Sequence, residues 1–305
     1  MKAVAIVNPR AGVAAQRAIA EVRRSTAVWP NLETWTTTAP GDAQRLSRQA
    51  VASGCEAVLA VGGDGTVNEV ARGLLGSPAA LGVIPAGSGN GFARTLRIPM
   101  DAGRALREMA RAVPRPMDVG LINGRPFLNV AGAGFDAAVG TAFHDQALRG
   151  GRRGVLSYVR IAVGMSWSYR CAGYALEAGE HRFAGEALLV AFVNGRQYGG
   201  AAVIAPDSRM DDGLLELVVI ERASALELLA AAPRLYLGGL ERFRAYRRMT
   251  VSSAVLTASE PFPHHSDGEP EERVTRLEVA IEPRALRVLV PPATAADPRG
   301  PFGQS

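Results

Sequence analysis

Residues 57–70 read AVLAVGGDGTVNEV: an apolar run passes straight into Gly62, Gly63, Asp64, Gly65 and Thr66, and a helical pattern follows with Val67 and Asn68. Glycines at the carboxyl end of a buried strand allow positive φ and let a ligand approach the backbone closely. A helix N-terminus at that point offers free amides and a positive dipole end, which suits an anion such as an oligophosphate. Thr66 and Glu69 have the spacing of a capping box for that helix. Asp64 would repel phosphate on its own. It fits if Mg²⁺ mediates, because that ion is held through one or two carboxylates together with phosphate oxygens. Taken alone, the stretch reads equally well as a tight turn with a solvated carboxylate.

A second glycine loop, IPAGSGNGFART (84–95), follows the next apolar run, with Ser88 and Asn90 set among Gly87, Gly89 and Gly91. A third, NPRAG (8–12), follows the first apolar run. Three polar loops at strand carboxyl ends would lie side by side along one edge of a sheet. None is a P-loop. Lys2 is the only lysine of the chain, which excludes both a Walker A site and the strand lysine of protein kinases. A nucleotide would have to be held by backbone amides, hydroxyls, Asn and Arg. Near the other end, HHSDGEPEE places Asp267 and Glu269 two residues apart. A carboxylate there could take the proton of a hydroxyl nucleophile, a step worth about 10²- to 10⁴-fold. The plain alternative is an acidic hairpin turn. His264 and His265 show no metal spacing and read as exposed loop residues, and Asp211-Asp212 reads locally as a β-turn.

The elements that would position these residues fall into two grammars. In the first third, AVAIV (3–7), LETWTT (32–37), EAVLAV (56–61) and LGVIP (81–85) alternate with helical segments, among them 101–113 with Asp101 as its cap. Short continuous apolar strands separated by helices imply a parallel sheet covered on both faces, with ligands beyond the strands' carboxyl ends. Near residue 114 PRP interrupts, and DVGLI, Asn123-Gly124 and RPFLNV spell a tight hairpin. Strand-like runs then dominate (AGYALEA, EALLVAFVNG, LLELVVI, MTVSSAVLTA, RLEVAIEP, LRVLV), with helices near 155–168 and 224–238. The Pro/Gly-rich tail from 291 is expected to be frayed.

The chain of 305 residues is 48% hydrophobic and 21% charged, with a net charge of +5 that is almost all arginine. That excess suits anionic partners or simply a solvated surface. An aromatic share of 6% and the absence of a recognition motif argue against nucleic acid. Cys55 and Cys171 form no metal-spaced pair, which fits a reducing compartment. No stretch approaches the roughly 20 apolar residues of a bilayer span, so membrane contact would be peripheral.

GGDGTVNEV, with NPRAG before it and PAGSGNGFAR after it, resembles the diacylglycerol kinase catalytic-domain family, which includes bacterial soluble lipid kinases and the sphingosine and ceramide kinases. FLNVAGAGFDA (127–137), GGAAVIAPDSRMDDGLLELVVI (199–220) and SDGEP (266–270) continue the resemblance in the family's order, to about residue 291. GGDGT alone is shared by NAD kinases and phosphofructokinases. The expected fold is α/β: an N-terminal doubly wound, mostly parallel domain of NAD-kinase/phosphofructokinase type (1–117), and a mainly antiparallel, β-sandwich-like domain for the lipid substrate (118–290). The segment 291–305 is a candidate to return to the first domain, and the nucleotide is expected in the interdomain cleft.

The resemblance implies ATP and Mg²⁺ as cofactors and a lipid such as diacylglycerol as substrate. It implies that Gly62 to Asn68 bind nucleotide phosphates, that Asn8, Pro9, Arg10, Ala11 and Gly12 line the same pocket, and that Thr37 contacts the nucleotide. The family's Gly-Thr of the next loop reads Gly87-Ser88 here, and Asn90 follows. Glu269 or Asp267 would carry the catalytic carboxylate, with Asp64 beside the phosphates. Asp212, with backbone carbonyls of Arg209 and Leu214, resembles a structural Mg²⁺ site. Closely after the loop of Asn8–Gly12, only Arg17 follows as a basic residue. Residues 147–167, with Arg149, Arg152 and Arg153, and the arginine-rich stretch 234–248 could rest on an anionic membrane or form core helices with a basic edge. The resulting expectation is a cytoplasmic enzyme that associates transiently with the inner face of the membrane and can form homo-oligomers. A kinase of a soluble substrate such as NAD, or a non-catalytic nucleotide- or lipid-binding protein, are the alternatives.

Overall fold

The structure is a computed structural model that describes residues 2–10, 13–24, 27–148, 155–199 and 202–303. Ala11, Gly12, Arg149, Arg152 and Arg153 lie outside the described residues. The chain divides into two compact units. The first comprises Met1–Val119, Met210–Asp212 and Pro283–Ser305; the second comprises Gly120–Arg209 and Gly213–Glu282.

The first unit begins with β1 (Ala3–Val7), α1 (Val13–Arg24), β2 (Leu32–Thr36), α2 (Asp42–Ala52), β3 (Ala57–Gly62), α3 (Asp64–Leu74), β4 (Ala80–Pro85), α4 (Gly91–Thr95) and α5 (Ala102–Arg111). Its strands run parallel in the order β4-β3-β1-β2. Every residue of β1, β3 and β4 is buried, as expected of strands covered on both faces. Two helix pairs, α1 with α5 and α2 with α3, pack in this unit. Asp101 caps α5 by accepting from the Arg104 amide at 2.9 Å. The edge of β4 is completed from the far end of the chain: Arg287 and Val288 pair in parallel with Ala80 and Leu81.

The tail is anchored, contrary to the expectation of fraying. Phe302 is buried, with the Arg115 guanidinium 5.9 Å from its ring centroid. Both carboxylate oxygens of Asp211 accept from the Gly303 amide, at 2.8 and 2.9 Å. Proline and glycine signal a break in regular structure here, and packing of one aromatic ring holds the chain in place.

The chain leaves along β5 (Val113–Ile122), whose two prolines sit within the strand, and Asn123 (φ 47°) and Gly124 (φ 76°) turn it into β6 (Arg125–Phe127). Two successive positive φ values match the twist of a tight hairpin. The second unit continues with β7 (Val130–Gly134), α6 (Phe135–Leu148), α7 (Val155–Ser166), β8 (Ala172–Ala178), β9 (His181–Val193), β10 (Gln197–Gly199), β11 (Ala202–Val203), β12 (Leu215–Glu221), α8 (Ala225–Ala231), α9 (Arg234–Leu237), β13 (Tyr246–Val251), β14 (Ser253–Phe262), β15 (His264–Ser266), β16 (Glu269–Pro270) and β17 (Val274–Val290). α10 (Pro292–Ala295) follows in the first unit.

The order β16-β15-β7-β9-β8-β14-β17 is antiparallel throughout, and β12 pairs with both β9 and β13. Along β12, Leu215, Leu217 and Val219 enter one core with Phe127, Phe192 and Phe262, while Val218 and Ile220 enter another with Leu240 and Phe243. The period of two explains why residues 217–220 of β12 are apolar without interruption: each face meets its own core. Two sequence readings change. MTVSSAVLTA is not one strand but the end of β13 and the start of β14, which have different partners, and RLEVAIEP and LRVLV are parts of the single strand β17.

Candidate functional site

In the first unit the adjacency of β1, β3 and β4 brings their three loops together. The Asn8 amide donates to the Val61 carbonyl at 3.1 Å, and Asn8 Nδ2 donates to Thr66 Oγ1 at 3.3 Å. Asn8 Oδ1 accepts from the Arg10 amide at 3.0 Å, and the Pro9 carbonyl accepts from Gln16. Thr37 stands at the next strand end: its amide and hydroxyl both donate to the Val7 carbonyl, at 3.0 and 3.3 Å.

The loop of Gly62–Thr66 and the second loop (84–95) touch. A Cβ on Gly87 would lie 2.5 Å from Gly63 Cα, and one on Gly62 would lie 2.5 Å from Thr66 Oγ1. Asn90, in the left-handed region, clamps the Gly87 peptide: Oδ1 accepts its amide at 3.0 Å and Nδ2 donates to its carbonyl at 2.9 Å. Ser88 is exposed, and its hydroxyl makes no hydrogen bond among the described residues. The result is a bare main-chain cradle, the surface an oligophosphate needs when no lysine is present.

The expected capping box is not formed. Gly63 is the N-cap with no side-chain bond, and α3 starts at Asp64, two residues earlier than Thr66. Glu69 instead accepts from the Ala43 amide at 3.1 Å, tying α3 to α2. The early start leaves the Gly65 and Thr66 amides in the first turn, where no preceding carbonyl takes them. The Val67 amide is bonded to the Gly63 carbonyl at 3.1 Å, and its side chain is core. Asn68 is buried, with Nδ2 lacking a hydrogen-bond partner.

Asp64 is half-buried beside the second loop. Burial raises its carboxyl above the usual carboxylate value, opposed by the backbone amides of Gly91, Phe92 and Asn90. A carboxyl disfavoured as an anion by desolvation gains from a cation brought to it, so the donor set fits a phosphate-bound Mg²⁺. Arg94, which sequence reasoning passed over, supplies a nearby positive charge: its Nε donates to the Gly89 carbonyl at 3.1 Å. GFAR carried that signal four residues beyond Asn90.

In the second unit the acidic turn is built with many bonds. Asp267 (φ 50°) and Gly268 (φ 82°) form it. Asp267 Oδ2 accepts from the Leu128 amide at 2.7 Å, and Oδ1 accepts from Asn129 and Val130 at 2.8 and 2.9 Å. Glu269 is different: its side chain is 45% exposed, with the Arg125 guanidinium 3.7 Å away as an ion pair. Arg125 also pairs with Glu271 at 2.5 Å.

The two histidines are buried, not exposed as expected, because β15 pairs with β7 and α6 packs on it. His265 Nε2 meets Asp136 Oδ2 at 2.7 Å, and His265 Nδ1 accepts from the Gly268 amide at 3.2 Å. Burial, then the neighbours His265 and Arg125, hold His264 down at about 4.

Arg209 and Leu214 belong to the second unit and Asp212 to the first. Asp212 and Leu214 are exposed. Among the described residues no three His, Cys, Asp or Glu side chains gather around a metal position. No helix among the described residues is long and apolar enough to cross a membrane.

A parallel sheet with a lysine-free glycine cradle, followed by an antiparallel β-sandwich-like unit, defines a class of two-domain kinases. Residues 2–122 match the diacylglycerol kinase catalytic domain, and residues 129–290 match the YegS C-terminal NAD kinase beta sandwich-like domain. The chain is 34% identical over 284 residues to a Pseudomonas aeruginosa protein described as a probable lipid kinase YegS-like, covering 92% of this chain and 89% of that one. It is 34% identical over 202 residues to a Bacillus subtilis diacylglycerol kinase, covering 65% of this chain and 66% of that one. The crystal structure of a Bacillus anthracis diacylglycerol kinase shares the fold, with a TM-score of 0.74, 23% identity, and coverage of 96% of this chain and 97% of that one. The chain belongs to the diacylglycerol kinase-like, YegS lipid kinase family.

Proposed function

We propose that this protein transfers the γ-phosphate of ATP to a hydroxyl of diacylglycerol or a related lipid. The observation that carries the reading is the close approach of Gly63 and Gly87, which only residues without a Cβ allow and which lets a ligand reach the main chain. The first amides of α3, the Thr66 and Ser88 hydroxyls and Asn8 hold and orient the phosphates; Thr37 borders the same rim. Mg²⁺, when bound through Asp64, would offset phosphate charge. Asp212, with the carbonyls of Arg209 and Leu214, is the candidate for a second, structural Mg²⁺.

Glu269 takes the proton of the lipid hydroxyl as the hydroxyl oxygen attacks the γ-phosphorus, and the bond from that phosphorus to the β,γ-bridging oxygen breaks to release ADP. Asp267 is unsuited to that task, because three backbone amides already occupy both of its carboxylate oxygens. Its role is to fix the turn that presents Glu269. Phosphoryl transfer needs little covalent help from a protein, so positioning and electrostatics supply most of the acceleration. Labelled ATP with Mg²⁺ and a panel of detergent-dispersed lipids tests the reading. Label in a phosphatidic acid-like product supports it; label confined to NAD, or to no acceptor, overturns it.

A further inference from the structure

Between β12 and β13 the second unit makes a helical excursion. α8 opens with a complete capping box, Ser224 with Glu227, and Arg244 pairs with Glu227 at 2.5 Å. Its inner side is secured: Ala231, Leu240 and Phe243 are buried in the core, with Leu228 and Leu235 packed against it. Its outer side is not covered. Leu226 is 75% exposed, Leu229 52%, Tyr236 53% and Leu237 85%. These are four of the ten large exposed hydrophobics among the described residues, gathered within residues 226–237. Gly238 and Gly239, both at positive φ, turn the chain back directly after Leu237 and leave that side chain at the apex.

The surrounding charge is mainly positive. Residues 222–248 contain six arginines against Glu227 and Glu241. Arg234 and Arg242 are exposed, and their guanidinium groups make no hydrogen bond or ion pair among the described residues. We propose that α8, α9 and the following turn form a bilayer-docking surface, in which Leu226, Leu229 and Leu237 enter the headgroup–acyl boundary and Arg234 and Arg242 meet anionic lipid phosphates. Unpaired guanidinium groups beside apolar tips complement an anionic lipid surface, and Tyr236 is a residue type suited to that interface. The anchored inner side lets the surface insert without unfolding. The purpose of the docking, access to a lipid substrate, rests on the proposed kinase reaction.

The test is co-sedimentation of the full chain with phosphatidylcholine vesicles that contain or lack phosphatidylglycerol. The wild type is expected to bind the anionic vesicles preferentially. The double variants Leu226→Ser/Leu237→Ser and Arg234→Gln/Arg242→Gln are each expected to lose roughly tenfold or more in partitioning, with unchanged melting temperature and unchanged phosphorylation of detergent-dispersed lipid. Undiminished vesicle binding by either variant overturns the proposal. So does a wild-type dimer that the leucine variant converts to monomer, which would make the face a contact between copies. Failure of the kinase reading shows separately, as absence of phosphorylation by the wild type on dispersed lipid while the vesicle binding still responds to the substitutions.

Discussion

Asp136 Oδ2 stands 2.7 Å from His265 Nε2, and both side chains are nearly sealed from solvent. The other ring nitrogen of His265 accepts the Gly268 amide, so the ring proton sits on Nε2 and faces Asp136. One imidazole thus joins the first turn of α6 to the turn that presents Glu269. His265 is a positioning residue. His265→Ala should lower kcat about tenfold or more with the KM for ATP nearly unchanged. Asp136→Asn, which keeps an acceptor for Nε2, should retain more activity than Asp136→Ala. Steady-state kinetics on the three variants checks the split, and an equal rise in KM for all three would contradict it.

The two acidic residues of the turn should separate cleanly. Glu269→Gln is expected to cut kcat by about 10² or more and leave thermal stability unchanged, since its carboxylate is half-exposed. Asp267→Asn replaces an acceptor of three amides with a group that has one acceptor oxygen, and should cost roughly 1–3 kcal/mol of stability. Calorimetry beside turnover measurement distinguishes them. A stable, active Asp267→Asn would refute the clamp.

Asp64→Asn removes the carboxylate that would meet a cation while keeping its size. Turnover should fall by two orders of magnitude or so, and the melting temperature should hold or rise because burial already disfavours the anion. Near-normal turnover at saturating Mg²⁺ would remove Asp64 from the site.

Gly87→Ala pushes a methyl to within 2.5 Å of Gly63 Cα and should abolish nucleotide binding or fold stability. Gly140 in α6 is the matched control. Nothing lies within 4 Å of a Cβ added there. Gly140→Ala should therefore stabilise the protein by about 0.5–1 kcal/mol. Titration with a fluorescent nucleotide and thermal melts of both variants test the contrast.

His264 predicts an acid limb of stability. Its native value near 4 lies below the ordinary 6.5, so between those values the unfolded chain binds the extra proton. Stability should be complete above about pH 6.5 and fall as pH drops toward 4, by on the order of 2–3 kcal/mol. His264→Phe should flatten that slope in urea melts across the window.

The strand-helix alternation and the three glycine loops were legible because they are local: apolar runs, Gly clusters and cap residues sit within a few positions of one another. Thr66 and Glu69 misled for the same reason. Their spacing suits a cap, but Gly63 starts the helix earlier and Glu69 finds Ala43 in another helix. His264 and His265 looked exposed because their covering elements, β7 and α6, come about 130 residues earlier in the sequence. Phe302 hid its role likewise: a Pro/Gly tail gives no sign that Arg115 and Asp211 wait for it.

The pairing of Arg287 and Val288 with β4 also bears on how the protein is made. A ribosome releases β1 through β4 long before it reaches residue 287. The nascent N-terminal half must therefore wait, one sheet edge open, until almost the whole message has been read. A stop codon anywhere before that point leaves an unfinished sheet with an adhesive border, a substrate for chaperones and proteases in place of a smaller working domain.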